Sequence, residues 1–449
     1  MKSIVVIGAG ISGLSCLHYL NQQFSNDANC RVTLLEQADC PGGTVQTLCE
    51  NGIIFEYGPN GFLDSNPATL NLSEELGLSH ELITANPEAK KRFIVVNDTL
   101  IALPLSPPAF FASSLFSLAQ KIRFLKEIGI SSTSSPNESM YAFMERRLGR
   151  ACGEYLAVPM AKGIYAGDAR QIAIEAAFPK IKNIESAHGS LIRYALKSKR
   201  KKTRLWSFKK GMRQIIDTLY AKYQNQIKLN TRVSQIIKTN DGIVIKTSTG
   251  NIDANHVILS TAAHAASSII EPLNPVLAKT LTEIQYAPVG VLGIVLKTND
   301  FPEKPKGFGF LYPGAIQENP LLGVLFESDV FNGRCGKDEV LLRAMLSGTH
   351  SSINKEQAFS LTLKALEKIY KHPLLIQHTF FKFWEKAIPQ YDLKYLNIKG
   401  RIEAALKSTP ELSLCANYYG GVTFNDCVSN AKILAEKIMP QTTSGSLRL

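Results

Sequence analysis

The sequence predicts an α/β protein: a Rossmann-like nucleotide-binding domain assembled from separated segments, an α+β domain, and a helical subdomain inserted between the pieces. Three observations carry this. The chain opens on a short β-branched apolar run that leads at once into Gly8-Ala9-Gly10-Ile11-Ser12-Gly13. A second apolar run, Arg31 to Leu35, ends on an acid, Glu36, about 20 residues further on. After a long stretch of helical signals, short β segments separated by turn residues resume near Ile227.

Ile4-Val5-Val6-Ile7 is fully apolar, as a buried parallel strand requires. In the loop that follows, Gly8 permits a tight turn, Gly10 lets the backbone approach a pyrophosphate, and Gly13 lets the next helix pack on the strand. The unpaired amides of that helix then face the phosphates. Glu36 and its neighbour Gln37 stand where a ribose would be read, and the carboxylate disfavours a 2′-phosphate. A glycine turn without ligand is the bland reading of the loop, and NAD and FAD share the pattern. The next segment, Gln37-Ala38-Asp39-Cys40-Pro41-Gly42-Gly43-Thr44, contains a Gly-Gly pair. It resembles the second fingerprint of FAD oxidases related to amine oxidases and phytoene desaturases. That resemblance implies FAD as cofactor, contacted at Gly42, Gly43 and Thr44. Thr44 stands where relatives often carry a basic residue.

Helical signals dominate from about 105 to 200, including the apolar and basic stretch LSPPAFFASSLFSLAQKIRFLKEI and a loop-like SSTSSPNES at 131 to 139. Its apolar face is either core or a membrane or substrate-channel surface. Strand signals cover IKLNTRVSQII, GIVIKTSTG, HVILSTAA, Val289 to Lys297 and Gly323 to Ser328, and a helix is expected near Asp426. The expected division is 1–72, 205–264 and 405–443 for the nucleotide domain, 73–104 and 265–404 for a substrate domain, and 105–204 for a helical, membrane-associated subdomain.

With 449 residues and 45% hydrophobic content at near-zero mean hydropathy, the chain can bury two or three domain cores and is not disordered. The eight cysteines form no CxxC pair, and no His lies at zinc-ligand spacing, so neither a disulfide framework nor a metal site gains support. This suits a reducing cytoplasm. A signal peptide is disfavoured because glycines interrupt the first apolar run, and no stretch reaches the roughly 18 apolar residues of a spanning helix. The net charge of +12 raises anionic partners: nucleic acid, acidic lipid or a polycarboxylate. The densest basic run, Lys197 to Arg204, is either a solvated loop or a contact for anionic headgroups. No recognition module accompanies the charge, which disfavours nucleic acid. The expected location is the cytoplasm, with peripheral contact on the cytoplasmic face of a membrane.

Further blocks resemble one family, the protoporphyrinogen oxidases together with the related coproporphyrinogen oxidases. They are Phe55-Glu56-Tyr57-Gly58-Pro59-Asn60-Gly61-Phe62; Arg92-Phe93 with Leu103-Pro104; Gly163-Ile164-Tyr165-Ala166-Gly167-Asp168 leading to Ala177-Phe178-Pro179; Trp384 with Ile388-Pro389-Gln390-Tyr391; and Tyr418-Tyr419-Gly420-Gly421-Val422 through Asn425-Asp426-Cys427. They run in family order along nearly the whole chain, with Thr44 and Gly420 as departures. The resemblance implies oxidation of a porphyrinogen to a porphyrin through FAD, with oxygen as acceptor and hydrogen peroxide as co-product, a quinone being the alternative acceptor, and suggests a homodimer. It implies that Gly58, Pro59, Asn60 and Gly61 lie beside the flavin, that backbone groups of Val233 read the adenine, and that amides of Val422, Thr423 and Phe424 approach the isoalloxazine. Protoporphyrinogen IX is the first substrate implied and coproporphyrinogen III its rival; a non-catalytic flavin-fold scaffold docking on membranes is the alternative outside enzymes.

For the substrate, Arg92 is the first candidate, because a guanidinium binds carboxylates bidentately, with a structural ion pair as the bland reading. The backbone at Ala166 and Gly167 is expected to approach the macrocycle. Asn60 either contacts substrate or closes a turn. Arg170 is weaker, Phe308, Phe310 and Phe331 are stacking or core aromatics, and His264 reads as a helix-cap or core histidine. No Ser/His/Asp or paired-carboxylate motif is present, and the cofactor carries the chemistry.

Overall fold

The computed structural model describes residues 2–104, 106–131, 137–198, 203–240, 242–301, 305–348 and 352–438. Residues 132–136 of the serine-rich loop and 199–202 of the basic run lie outside the described residues.

Apolar β-branched runs buried on both faces build a five-stranded parallel sheet. Its order is Ile227–Lys228, Cys30–Leu35, Lys2–Ile7, His256–Leu259, Leu412–Leu414, so strands from distant parts of the chain lie side by side. The helix Ile11–Gln23 leaves the central strand with every residue from Ile11 to Leu20 buried, and packs against Phe424–Lys437 from the far end of the chain. Gly13 makes the close approach: a Cβ there would lie 1.9 Å from the carbonyl oxygen of Gly8.

A second, seven-stranded mixed sheet has the order Ile376–Pro389, Tyr286–Lys297, Glu339–Ser347, Leu321–Leu325, Gly309–Leu311, Arg92–Val96, Thr99–Ala102. The Gly323-to-Ser328 segment is thus a strand that ends at Leu325; Glu327–Val330 turns into a short helix. Helix Lys355–Tyr370 buries Ala358, Leu366 and Tyr370 in the same core as Leu292, Ile294 and Leu342 of this sheet.

Between residues 106 and 198 the described segments are helical, and their packing rests on buried charge as much as on apolar contact. Glu127 accepts from Arg147, from the Ser190 hydroxyl and from the amides of Leu191 and Ile192, holding the start of helix Leu191–Lys197. Arg146 and Lys182 pair with Glu138 and Glu185 beside it. Helix Leu118–Leu125, by contrast, buries no residue: Leu118, Ile122 and Leu125 are 75%, 49% and 46% exposed. No helix among the described residues is long and apolar enough to cross a membrane.

Burial alone would raise the pKa of Glu127, but the hydrogen bonds from Ser190, Leu191, Arg147 and Ile192 outweigh it and leave it lowered. A carboxylate whose pKa is lower folded than unfolded stabilises fully above its ordinary range and loses that stabilisation as pH falls through the folded value. Glu127→Gln should cost about 3 kcal/mol in urea unfolding at neutral pH, because it leaves buried Arg147 with only the more distant Glu185, at 3.6 Å, as its anion. The gap between variant and parent should narrow in acid.

Candidate active site

At the carboxyl ends of the parallel strands lies a cavity of 540 Å³, where this sheet topology puts a ligand. Gly8, Gly10, Ile11, Ser12, Glu36, Gln37, Gly42, Gly43, Thr44 and Val233 line it. Gly10 is the N-cap of helix Ile11–Gln23 and offers no side-chain cap, so the first helical amides are left for a ligand. A Cβ on Gly10 would meet no atom within 4 Å, because it would project into the cavity. The two glycine turns touch: Gly10 and Gly42 form a parallel bridge, and the Gly42 amide donates to Ala9 O at 2.8 Å. Glu36 is fixed at the cavity wall, its carboxylate accepting from the amides of Ala9 at 2.7 Å and Ala38 at 2.9 Å. Ser260 and Thr261 add buried hydroxyls without a partner. Bare amides, glycine clearance, a fixed carboxylate and orphan hydroxyls are what the diphosphate and ribose of a dinucleotide require.

This cavity continues into a second of 430 Å³, the two sharing Ile11, Thr44, Val45, Trp384, Ala387, Asn417 and Cys427. Gly58, Pro59, Asn60 and Gly61 form one wall; Val422, Thr423 and Phe424 form another. The last helix begins at Phe424, two residues earlier than its sequence signal, because Thr423 and Asp426 cap each other reciprocally. Trp384 donates its indole N–H to Tyr57 O at 2.8 Å, tying the mixed sheet to the glycine segment. The remaining lining is mostly apolar and includes Ile164, Val289, Val291, Phe308, Leu325 and Met345.

Several expected site residues lie elsewhere. Ala166 is buried and lines neither chamber; it closes helix Val158–Tyr165 in the left-handed region at φ 47. Gly167 is small for a different neighbour, since a Cβ there would lie 2.2 Å from Gln390 Oε1, and Gln390 in turn donates to Tyr165 O. Gly163 and Ile164, one turn earlier, reach the second chamber instead. Ala9 and Gly13 are internal supports of the loop, joined to Glu36 and packed on Gly8. Arg92 is exposed and outside the lining, with its guanidinium 4.8 Å over the ring of Phe308, which does line the chamber. His264 is neither cap nor core: it borders the nucleotide chamber, edge-on to Tyr286. Phe310 and Phe331 are buried in cores, and Arg170 pairs with Glu154 at 2.7 Å while covering Tyr141.

Arg343 was not among the expected residues, although a single cation within the apolar strand VLLRAML is a readable signal. It lines the second chamber and belongs to a buried group of charges with Glu327, Arg334 and Glu56. Burial raises the Glu327 pKa, with Arg334, Arg343 and the adjacent Asn60 pulling it back, and lowers that of Arg343. Burial also pushes Glu56 up to about 7, against bonds from Met212 and Thr47.

The family profile described as flavin containing amine oxidoreductase matches residues 11–439. The chain belongs to that family. It is an FAD-dependent oxidoreductase, and FAD is the dinucleotide that the first chamber suits. Among its curated relatives, the chloroplastic protoporphyrinogen oxidase of Nicotiana tabacum is 28% identical, over 97% of this chain and 85% of that one. The coproporphyrinogen III oxidase of Bacillus subtilis is 25% identical, over 96% of each. A crystal structure of a protein from Exiguobacterium sp. 255-15, proposed to be a protoporphyrinogen oxidase, shares the fold with a TM-score of 0.84 at 23% identity, covering 97% of this chain and 98% of that one.

Gly10→Val and Gly13→Ala should separate ligand clearance from packing. The valine projects into the cavity, so that protein should fold yet be purified without flavin colour. The alanine strikes backbone at 1.9 Å and should lower the yield of folded protein. Circular dichroism and flavin absorbance on both variants check the pair.

Proposed function

We propose that this chain oxidises protoporphyrinogen IX to protoporphyrin IX, with oxygen as electron acceptor and hydrogen peroxide as co-product. One observation carries the reading: the flavin chamber opens, past Trp384 and Ala387, into an apolar chamber that has no acid/base dyad in its lining. A macrocycle of four pyrroles is apolar, and its aromatisation needs a hydride acceptor more than a protein base. FAD, when bound, supplies that acceptor.

The chain's own residues bury, orient and neutralise. Val289, Val291, Leu325 and Met345 exclude water from the ring. The Phe424 amide, outside the Thr423/Asp426 capping pair at the start of helix Phe424–Lys437, favours negative charge at the isoalloxazine end. Arg92, exposed beside Phe308, takes a propionate at the chamber's edge. Likeness to relatives named protoporphyrinogen oxidase supports this substrate. Likeness to one named coproporphyrinogen III oxidase, together with the buried cation Arg343, favours coproporphyrinogen III as a second reading.

The same proposal assigns the exposed apolar stripe Leu118, Ile122 and Leu125, flanked by Lys121, Arg123 and Lys126, to peripheral contact with a cytoplasmic membrane face. Such a contact suits a water-insoluble product.

Purified yellow protein given reduced protoporphyrinogen under air should develop red porphyrin fluorescence and peroxide; a flavin-loaded preparation that yields neither would overturn the assignment. Arg92→Ala should raise KM about tenfold while changing kcat little. With vesicles rich in anionic lipid, the parent should co-sediment and Leu118→Glu/Ile122→Glu should not, and equal pelleting of both would remove the membrane contact.

A further inference from the structure

Among the described residues, Arg343 is the one charged residue in the lining of the second chamber. It is 6% exposed, and a lone cation on a strand whose neighbours are apolar is costly unless something there uses it. Its internal partners do not satisfy it. One guanidinium nitrogen donates to the carbonyl of Gly58, while its Nε has no partner. Glu327 lies in the same buried group beside Asn60, but its nearest recorded cation is Arg334 Nε at 3.7 Å and not Arg343. The group comprises two arginines, Arg334 and Arg343, facing Glu327 and Glu56, with the thiol of Cys335 at its edge. Burial pushes the carboxyls of Glu327 and Glu56 up, which weakens the negative charge set against the two arginines.

The position of Arg343 follows from strand register. Arg343 stands opposite Leu325, Leu325 opposite Gly309, and Gly309 opposite Arg92. Residues opposed in a ladder share a face of the sheet. The two arginines therefore belong to one row on one face, three strand spacings or roughly 14 Å apart. Leu325 in that row and the adjacent Phe308 both line the chamber. An apolar wall bounded by a cation at each end is complementary to an apolar macrocycle with a carboxylate at each edge.

We propose that Arg343 binds a carboxylate of the macrocycle at the edge opposite the one taken by Arg92, so that the chamber recognises a tetrapyrrole with carboxylates on both edges. The proposal rests on the functional reading above and names the residue that separates its two substrates. Coproporphyrinogen III, with a propionate on every ring, engages both cations at once. Protoporphyrinogen IX, with propionates on neighbouring rings only, engages one.

The test titrates the flavin-loaded protein with coproporphyrin III and protoporphyrin IX, following porphyrin fluorescence, and measures kcat/KM for both reduced forms. Arg343→Met/Glu327→Gln removes one charge of each sign, so the net charge of the buried group is unchanged; Arg343→Lys keeps the charge and loses the fork. Bound FAD reports folding in each. The double variant should weaken coproporphyrin binding about tenfold more than protoporphyrin binding and shift the kcat/KM ratio in the same direction, with the lysine variant between it and the parent. Equal weakening of both ligands, or of neither, overturns the role of Arg343. If the parent itself binds neither porphyrin, the functional reading fails, and the inference with it.

Discussion

A helix can offer its first amides to an anion only if nothing of its own covers them, and in this chain that depends on two glycine turns closing on each other. Gly10 caps helix Ile11–Gln23 without a side chain, and Gly42 meets it in a parallel bridge. Gly13 lets the helix lie against Gly8. Bulk at Gly13 would push the helix off the sheet, and bulk at Gly10 would fill the space the helix faces. The later segments converge on this point. Helix Phe424–Lys437 packs on Ile11–Gln23 and starts at the wall of the adjoining chamber, and Trp384 and Ala387 of the mixed sheet line both chambers.

The chemistry of the second chamber follows from what is missing there. Among the described residues its lining has apolar walls, a buried cation and no carboxylate, so the protein's contribution is burial, orientation and charge. Bridging groups hold the walls in place. Tyr391 donates to Asn417 O and accepts from the Gly421 amide, and Gln390 braces the end of helix Val158–Tyr165. The Pro-Gln-Tyr block thus acts through hydrogen bonds to segments that line the site.

Much of the nucleotide half was legible because each residue type is forced by local backbone geometry. Gly8, Gly10, Gly13, Gly42, Gly43 and Glu36 sit within one strand-loop-helix-strand unit, and short spacing fixes their arrangement. The substrate half was harder, since its residues meet only through tertiary contacts. Ala166 and Gly167 look like a close approach to a ligand, but Gly167 is small because Gln390, more than two hundred residues away, fills the space beside it. Arg343 belongs to the site through strand register with Leu325 and Gly309, which sequence order does not display. His264 has a helical pattern around it, and only the position of its helix at the end of the parallel sheet brings it to the cavity. The capping pair Thr423 and Asp426 was readable in principle as Thr-x-x-Asp and sets the true helix start.

The central claim is that the flavin chamber and the apolar chamber form one reaction site for a porphyrinogen. Mixing flavin-loaded protein with reduced porphyrinogen in the absence of oxygen tests it most directly, by recording flavin and porphyrin absorbance together. The account predicts that the yellow flavin colour bleaches in step with the oxidation of the macrocycle and returns when air is admitted. Flavin colour that persists unchanged with excess porphyrinogen would contradict it.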